Sequence, residues 1–192
     1  AIKTMVLRGA PLIGVAAAYG YALSAKGHKK LTPALQTQLA KDAKLLLKSR
    51  PTAVNLRWGI EKMGKAACKL AAGTDHFYRG LIAAADVILR EDIAANLRMA
   101  AHGAKLLPMG ARIMTICNTG ALATAGVGTA LGVVRMARKT RKLKHVWALE
   151  TRPYLQGARL TMWELKIEGI PAQLLPANMA ANIMKTERPD AV

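Results

Sequence analysis

Arg112-Ile-Met-Thr-Ile-Cys-Asn-Thr-Gly120 decides the fold. Arg112 to Cys117 is short, apolar and β-prone, the texture of a buried strand. Asn118-Thr119-Gly120 is turn chemistry, and the residues from about Ala121 to Thr140 return to helical spacing. Strand, turn and helix in that order open an α/β unit, and the pattern repeats downstream. His145 to Leu149 reads as a second strand, and Gly157 to Glu168 as a second helix stopped by Gly169 and Pro171. Ala172 to Leu175 is a third strand, and Asn178 to Met184 a third helix. Asp190-Ala191-Val192 is placed to open a fourth strand. This alternation predicts a parallel sheet with right-handed crossovers. The fold class is therefore α/β: a helical N-terminal part (1–106) followed by an incomplete Rossmann-like parallel sheet flanked by helices (107–192).

Upstream the texture is helical. Ala10 to Ala25 is an Ala-rich helix with Gly27 suited to its C-cap. Thr32-Pro33 supplies an N-cap followed by proline at the first helical position, and that helix should run to about Lys48. A third helix is expected from about Ala53 to Ala72, broken by Gly73-Thr74-Asp75. A long fourth runs from about Phe77 to Lys105. The chain starts at Ala1 rather than Met and stops at Val192 without a capping polar residue, so both ends read as cuts in a longer chain.

The chain has 192 residues, with 29 Lys plus Arg against 11 Asp plus Glu and 52% hydrophobic residues. That apolar content excludes a disordered polycation or a histone-like tail. The charge suggests a polyanion without saying which. It divides into 17 basic and 6 acidic residues before position 107 and 12 basic and 5 acidic after it, so it is not concentrated in an arm. Arg135, Arg138, Lys139, Arg141, Lys142 and Lys144 form a basic run read as a solvated helix end. Stacking aromatics do not interleave with it, which disfavours nucleic acid. The uncharged stretch Ile113 to Val134 is long enough for a membrane span, but its Asn118, threonines and glycines fit a strand, turn and helix better. Cys68 and Cys117 lie too far apart for a metal or redox motif and read as reduced thiols. Cys68, in mid-helix, reads as core.

In open α/β sheets ligands bind at the carboxyl ends of the strands. Three such ends carry polar residues: Thr115 to Gly120, Glu150 to Gln156, and Pro176 to Asn178. Cys117 is expected at the mouth of the first strand, directly before a helix N-terminus. Unpaired N–H groups there attract anions and lower a thiol pKa. Asn118 to Gly120 has the makings of a phosphate cradle. Gly126, Gly128 and Gly132 are expected inside the following helix. Arg8, just before a helix start, and Arg50, in a turn between helices, have the planar fork that matches phosphate.

Four blocks together resemble the methylthioribose-1-phosphate isomerase family of methionine salvage: Met5 to Gly20, Ser49 to Trp58, Cys117 to Gly132, and Glu150 to Thr161. The resemblance covers nearly the whole chain. It implies an enzyme with a helical domain followed by a Rossmann-like one. It also implies isomerisation of 5-methylthio-ribose 1-phosphate to 5-methylthio-ribulose 1-phosphate, an aldose–ketose conversion with no cofactor and no metal. By position in the motifs, Arg8, Gly9, Ala10, Arg50 and Gln156 would hold the sugar phosphate and Cys117 would be catalytic. The small phosphorylated sugar is the implied partner, with no membrane, in a cytoplasmic homodimer.

The chain departs from the family pattern at Ile116, Leu149 and Ala177, where the family usually has His, Asp and Asp. The family's catalytic aspartate, in a Gly-Ala-Asp-Arg segment, falls beyond the equivalent of Val192. The same fold serves the regulatory subunits of a translation-initiation exchange factor, so the alternative is a non-catalytic sugar-phosphate-binding or assembly protein.

Overall fold

The computed structural model describes residues 1–71 and 76–192. The expected break at Gly73-Thr74-Asp75 lies outside these residues. The chain divides into two compact units, Ala1–Asp92 and Ile93–Val192.

The first unit holds α1 (Ala10–Leu23), α2 (Pro33–Ser49), α3 (Val54–Leu70) and the start of α4 (Phe77–Leu106). The Thr32-Pro33 signal works as its chemistry requires: Leu35 N–H donates to Thr32 Oγ1 at 3.2 Å, satisfying a donor the helix leaves orphaned. The helix expected to reach Ala25 ends at Leu23, and tight turns carry the chain on to Gly27 at φ +85°. Helices α1 and α3 cross backbone to backbone. A Cβ on Gly59 would lie 2.5 Å from Gly14 O, and one on Gly14 would lie 2.9 Å from Asn55 O. These two glycines permit an approach that any side chain would block. The buried stripe of α3 runs through Leu56, Gly59, Ile60, Met63 and Ala67. Cys68, expected in the core, is exposed instead, because one residue beyond Ala67 turns about 100° away from that stripe.

The second unit contains the rest of α4, then β1 (Ala111–Ile116), α5 (Ala130–Lys139), β2 (Leu143–Leu149), α6 (Met162–Ile167), β3 (Ala172–Leu175) and α7 (Ala180–Thr186). The strands form a parallel sheet in the order β1-β2-β3, with Ile116 opposite Leu149 and Leu149 opposite Leu175. Ala191 makes a parallel bridge to Ile113. Asp190 N–H donates to Arg112 O at 2.8 Å, and Met114 N–H to Ala191 O at 2.9 Å. Since Ile113 already pairs with Val146 of β2, this last segment lies along the other edge of β1. The spatial order is thus that of a Rossmann half-sheet, with its reversal beside β1. Alternate residues feed opposite faces. Ile113, Val146 and Ala148 pack with Leu131 and Val134 of α5 and Leu165 of α6. Met114, Trp147, Leu149 and Leu175 pack with Ile183 of α7.

One element departs most from expectation. The helix expected from Ala121 is a single 3₁₀ turn, Ala121–Ala123, followed by a loop, and α5 begins only at Ala130. Gly126 and Gly128 therefore lie in the loop; only Gly132 is helical. The Thr124 hydroxyl accepts from Gly126 N–H and Gly128 N–H, both at 3.2 Å. Such local side-chain bonds compete with helical ones, and Gly128, at φ +92°, leaves helical space altogether.

Candidate active site

Cys117 follows the last residue of β1 and takes a left-handed conformation, φ +65°, half-buried. Its N–H donates to Thr151 Oγ1 at 2.8 Å. Its carbonyl accepts from the Thr161 hydroxyl at 2.5 Å. Thr151 in turn donates to Leu149 O at 3.0 Å. Neighbouring strand ends thus bring the Cys117 and Glu150–Thr161 blocks together at the carboxyl ends of β1 and β2, where β1 is also the strand beside which the order reverses. That is where open α/β sheets bind their ligands.

The expected helix N-terminus behind Cys117 is not there, since α5 starts at Ala130. No α-helix therefore starts directly behind Cys117. The expected phosphate cradle is also filled from within. Glu164, only 4% exposed, accepts from Asn118 Nδ2 at 2.7 Å and from Ala121 N–H at 2.8 Å. A Cβ on Gly120 would overlap that carboxylate. The turn has the donors an anion needs, and the chain's own carboxylate takes them.

Glu164 is balanced by Arg135, which pairs with it at 2.7 Å and also with Glu168. Burial works against the Arg135 charge, but the hydrogen bonds it donates to Glu168 and Glu164 outweigh it and raise the guanidinium pKa. Neither residue stands out as a site residue in the sequence. Arg135 hides in the basic run. Glu164 is an acid among apolar helical neighbours, three residues from Thr161 and so on the same helix face; that spacing was the available signal.

Gly157 is the one residue type its place allows, because a Cβ there would collide with Leu149 O. Beside it the Gln156 Oε1 is buried with no hydrogen-bond partner among the described residues, as is Thr119 Oγ1. Of the positions that depart from the family pattern, Leu149 is buried against Trp147, Ile116 is 53% exposed, and Ala177 opens a 3₁₀ turn.

In the first unit, Arg8 is buried. Gly9 turns at φ +95°, and Ala10-Pro11 opens α1 with no side chain capping it. The free donors of such a helix start favour anions. Arg50 ends α2, and its Nη1 is buried with no hydrogen-bond partner among the described residues. No group of three His, Cys, Asp or Glu side chains among the described residues is placed to hold a metal ion. None of their helices is long and apolar enough to cross a membrane.

A helical unit leading into a parallel sheet, with polar side chains gathered at the carboxyl ends of its strands, defines a Rossmann-like α/β protein. The chain belongs to the initiation factor 2 subunit family, whose model matches residues 6–192. Over its whole length it is 49% identical to the methylthioribose-1-phosphate isomerase of Desulforudis audaxviator, covering 55% of that protein. Among solved structures it resembles 5-methylthioribose 1-phosphate isomerase from Pyrococcus horikoshii OT3. The TM-score is 0.89 at 42% identity, over 99% of this chain and 54% of that one. It also resembles the translation initiation factor eIF-2B subunit delta from A. fulgidus, with a TM-score of 0.83 at 41% identity over 98% of this chain and 56% of that one. The chain spans about half the length of the curated relatives it matches.

Proposed function

We propose that this chain supplies the sugar-phosphate site of a methylthioribose-1-phosphate isomerase, with residues 1–106 and 107–192 as its two functional domains. The observation that carries the reading is Cys117 pinned at the reversal of strand order by the Glu150–Thr161 block, in a chain 49% identical to an isomerase. The anomeric phosphate of 5-methylthio-ribose 1-phosphate blocks simple ring opening. The enzyme must assist that opening and then move hydrogen from C2 to C1, leaving a ketone at C2. Arg8, Arg50 and the start of α1 at Gly9-Ala10 hold the phosphorylated sugar, and Gln156 offers its amide to a hydroxyl. Cys117 moves the proton or stabilises the developing charge, paired with an acid/base group supplied downstream of Val192. Neither a metal nor a nucleotide takes part. The working protein is a cytoplasmic homodimer whose partner is the small phosphorylated sugar rather than nucleic acid.

The test is an assay of a protein extended beyond Val192 with methylthioribose 1-phosphate. Turnover is expected, and Cys117→Ala should lower it by about 10²- to 10⁴-fold. An inactive extended protein, or a Cys117→Ala variant at full rate, overturns the reading.

A second reading is a non-catalytic member of the exchange-factor type. It is favoured by the 41% identity to the A. fulgidus subunit and by the apolar residues at Ile116, Leu149 and Ala177. Binding of the sugar phosphate by the extended protein without turnover would support it.

A further inference from the structure

We propose that Thr151 and Thr161 are positioning residues that fix the Cys117 thiol through its two flanking peptide groups. The proposal rests on the reading of Cys117 as the catalytic cysteine.

The left-handed region is unfavourable for a residue with a Cβ. Cys117 nonetheless stays there, at φ +65°, with its two backbone groups held from opposite directions. Thr151 Oγ1 spends its one proton on Leu149 O and so must present a lone pair to Cys117 N–H. Thr161 Oγ1 spends its proton on Cys117 O and receives Asn118 Nδ2 at 3.3 Å. Each hydroxyl is therefore used as donor and as acceptor, and neither can turn without breaking a bond. Thr161 is 1% exposed, so water does not replace it. The Asn118 amide it receives is itself tied to Glu164, which anchors the far side of the turn. The direction of the Cys117 Cα–Cβ bond follows from its φ and ψ. The two threonines thus set where the sulfur points without touching a substrate. A misplacement on the order of 1 Å in such a group can cost about 10²-fold in rate.

Two measurements on Thr151→Val, Thr161→Val and the matching serine variants test this. In the 192-residue chain, iodoacetamide labelling is followed by peptide mass spectrometry, with exposed Cys68 as internal standard. Loss of the hydrogen bond to the Cys117 backbone should raise the labelling rate of Cys117 relative to Cys68 roughly two- to tenfold in each valine variant. The serine variants, which keep the hydroxyl, should match the parent. In the protein extended beyond Val192, the valine variants should lower kcat by up to about 10²-fold with KM unchanged, and serine should restore it. Half-buried Thr151 provides the decisive variant if Thr161→Val does not fold.

An unchanged labelling ratio in the soluble valine variants overturns the proposal. So does a kcat loss that serine does not rescue. A raised ratio in valine variants whose extended parent lacks isomerase activity keeps the positioning role and removes the isomerase reading.

Discussion

A tyrosine hydroxyl that donates to a carboxylate holds its proton more tightly than one in water. Tyr19 donates to Asp86 Oδ1 at 2.5 Å. Burial first, then the hydrogen bond and charge of Asp86, push its pKa from 10.0 up to about 12. The folded state therefore keeps a proton that the unfolded chain gives up. The stabilisation is complete below pH 10.0 and is lost as pH rises through about 12. Tyr19→Phe should flatten this alkaline loss, as read from urea midpoints at about pH 9 and about pH 11.5. Glu164 is a buried acceptor of several donors. Removing it by Glu164→Ala takes one acceptor from the Asn118 amide, the Ala121 N–H and one side of Arg135. A fully buried pair broken this way costs about 3–5 kcal/mol. Arg135 keeps Glu168 and is 18% exposed, so about 2–3 kcal/mol is expected by urea unfolding. At this scale the sequence was informative where residue type is unusual for its place, as with Cys117 and Gln156 beside turns. It was silent on Thr151, Thr161 and Glu164, which look like ordinary turn and helix residues until the strand ends are adjacent.

Elements bounded by local chemistry were legible: the Thr32-Pro33 start of α2 and the strand β3 lie where the spacing puts them. The start of α5 was not. Ala, Leu and Val recur at helical intervals after Gly120, but the decision belongs to Thr124, which captures two loop amides, and to Gly128. Helix crossing was equally hidden. Gly14 lies in the first block and Gly59 directly follows the second, and only the α1–α3 contact shows why both are glycine. Gly59→Ala should overpack that crossing and cost about 1–3 kcal/mol, measured by denaturant unfolding; a neutral result would mean that the helices slide apart freely. The basic run also divides by role once the elements are seen. Lys142 Nζ donates to Ala104 O at 3.1 Å, Lys105 O at 3.3 Å and Leu107 O at 2.7 Å. It thereby caps the C-terminal carbonyls of α4, where a cation suits the helix dipole. Lys142→Met, which keeps the stem and removes the charge, should cost about 1–2 kcal/mol. The same change at exposed Lys139 should cost close to nothing in the same urea titration.

Across the whole molecule the surplus charge has a simple distribution. The first unit has 15 basic and 6 acidic residues and the second 14 and 5, a formal +9 each. The proposed substrate needs a few arginines, and Arg135 and Lys142 are committed to internal contacts. With 29 cations and 11 acids, at least 18 cations have no acid to pair with one to one. A surface of one sign repels itself and destabilises the compact state. Salt screens this, because the Debye length shrinks from about 30 Å at 0.01 M to about 10 Å at 0.1 M. Two consequences separate a sugar-phosphate protein from a polyanion binder. Self-repulsion alone predicts that Tm at neutral pH rises with NaCl, most steeply below about 0.1 M, and levels off once the screening length is shorter than the spacing of surface charges. It also predicts that Arg138→Glu with Lys144→Glu raises Tm at low salt and changes little at high salt. A built polyanion site predicts a further behaviour: duplex DNA should bind with a log–log salt slope set by the number of phosphates neutralised, and that slope should fall in the double variant. Thermal scans over a salt series, with and without random duplex, read both. A Tm that falls as salt is added would mean that attractive pairs outweigh repulsion, contrary to the charge distribution.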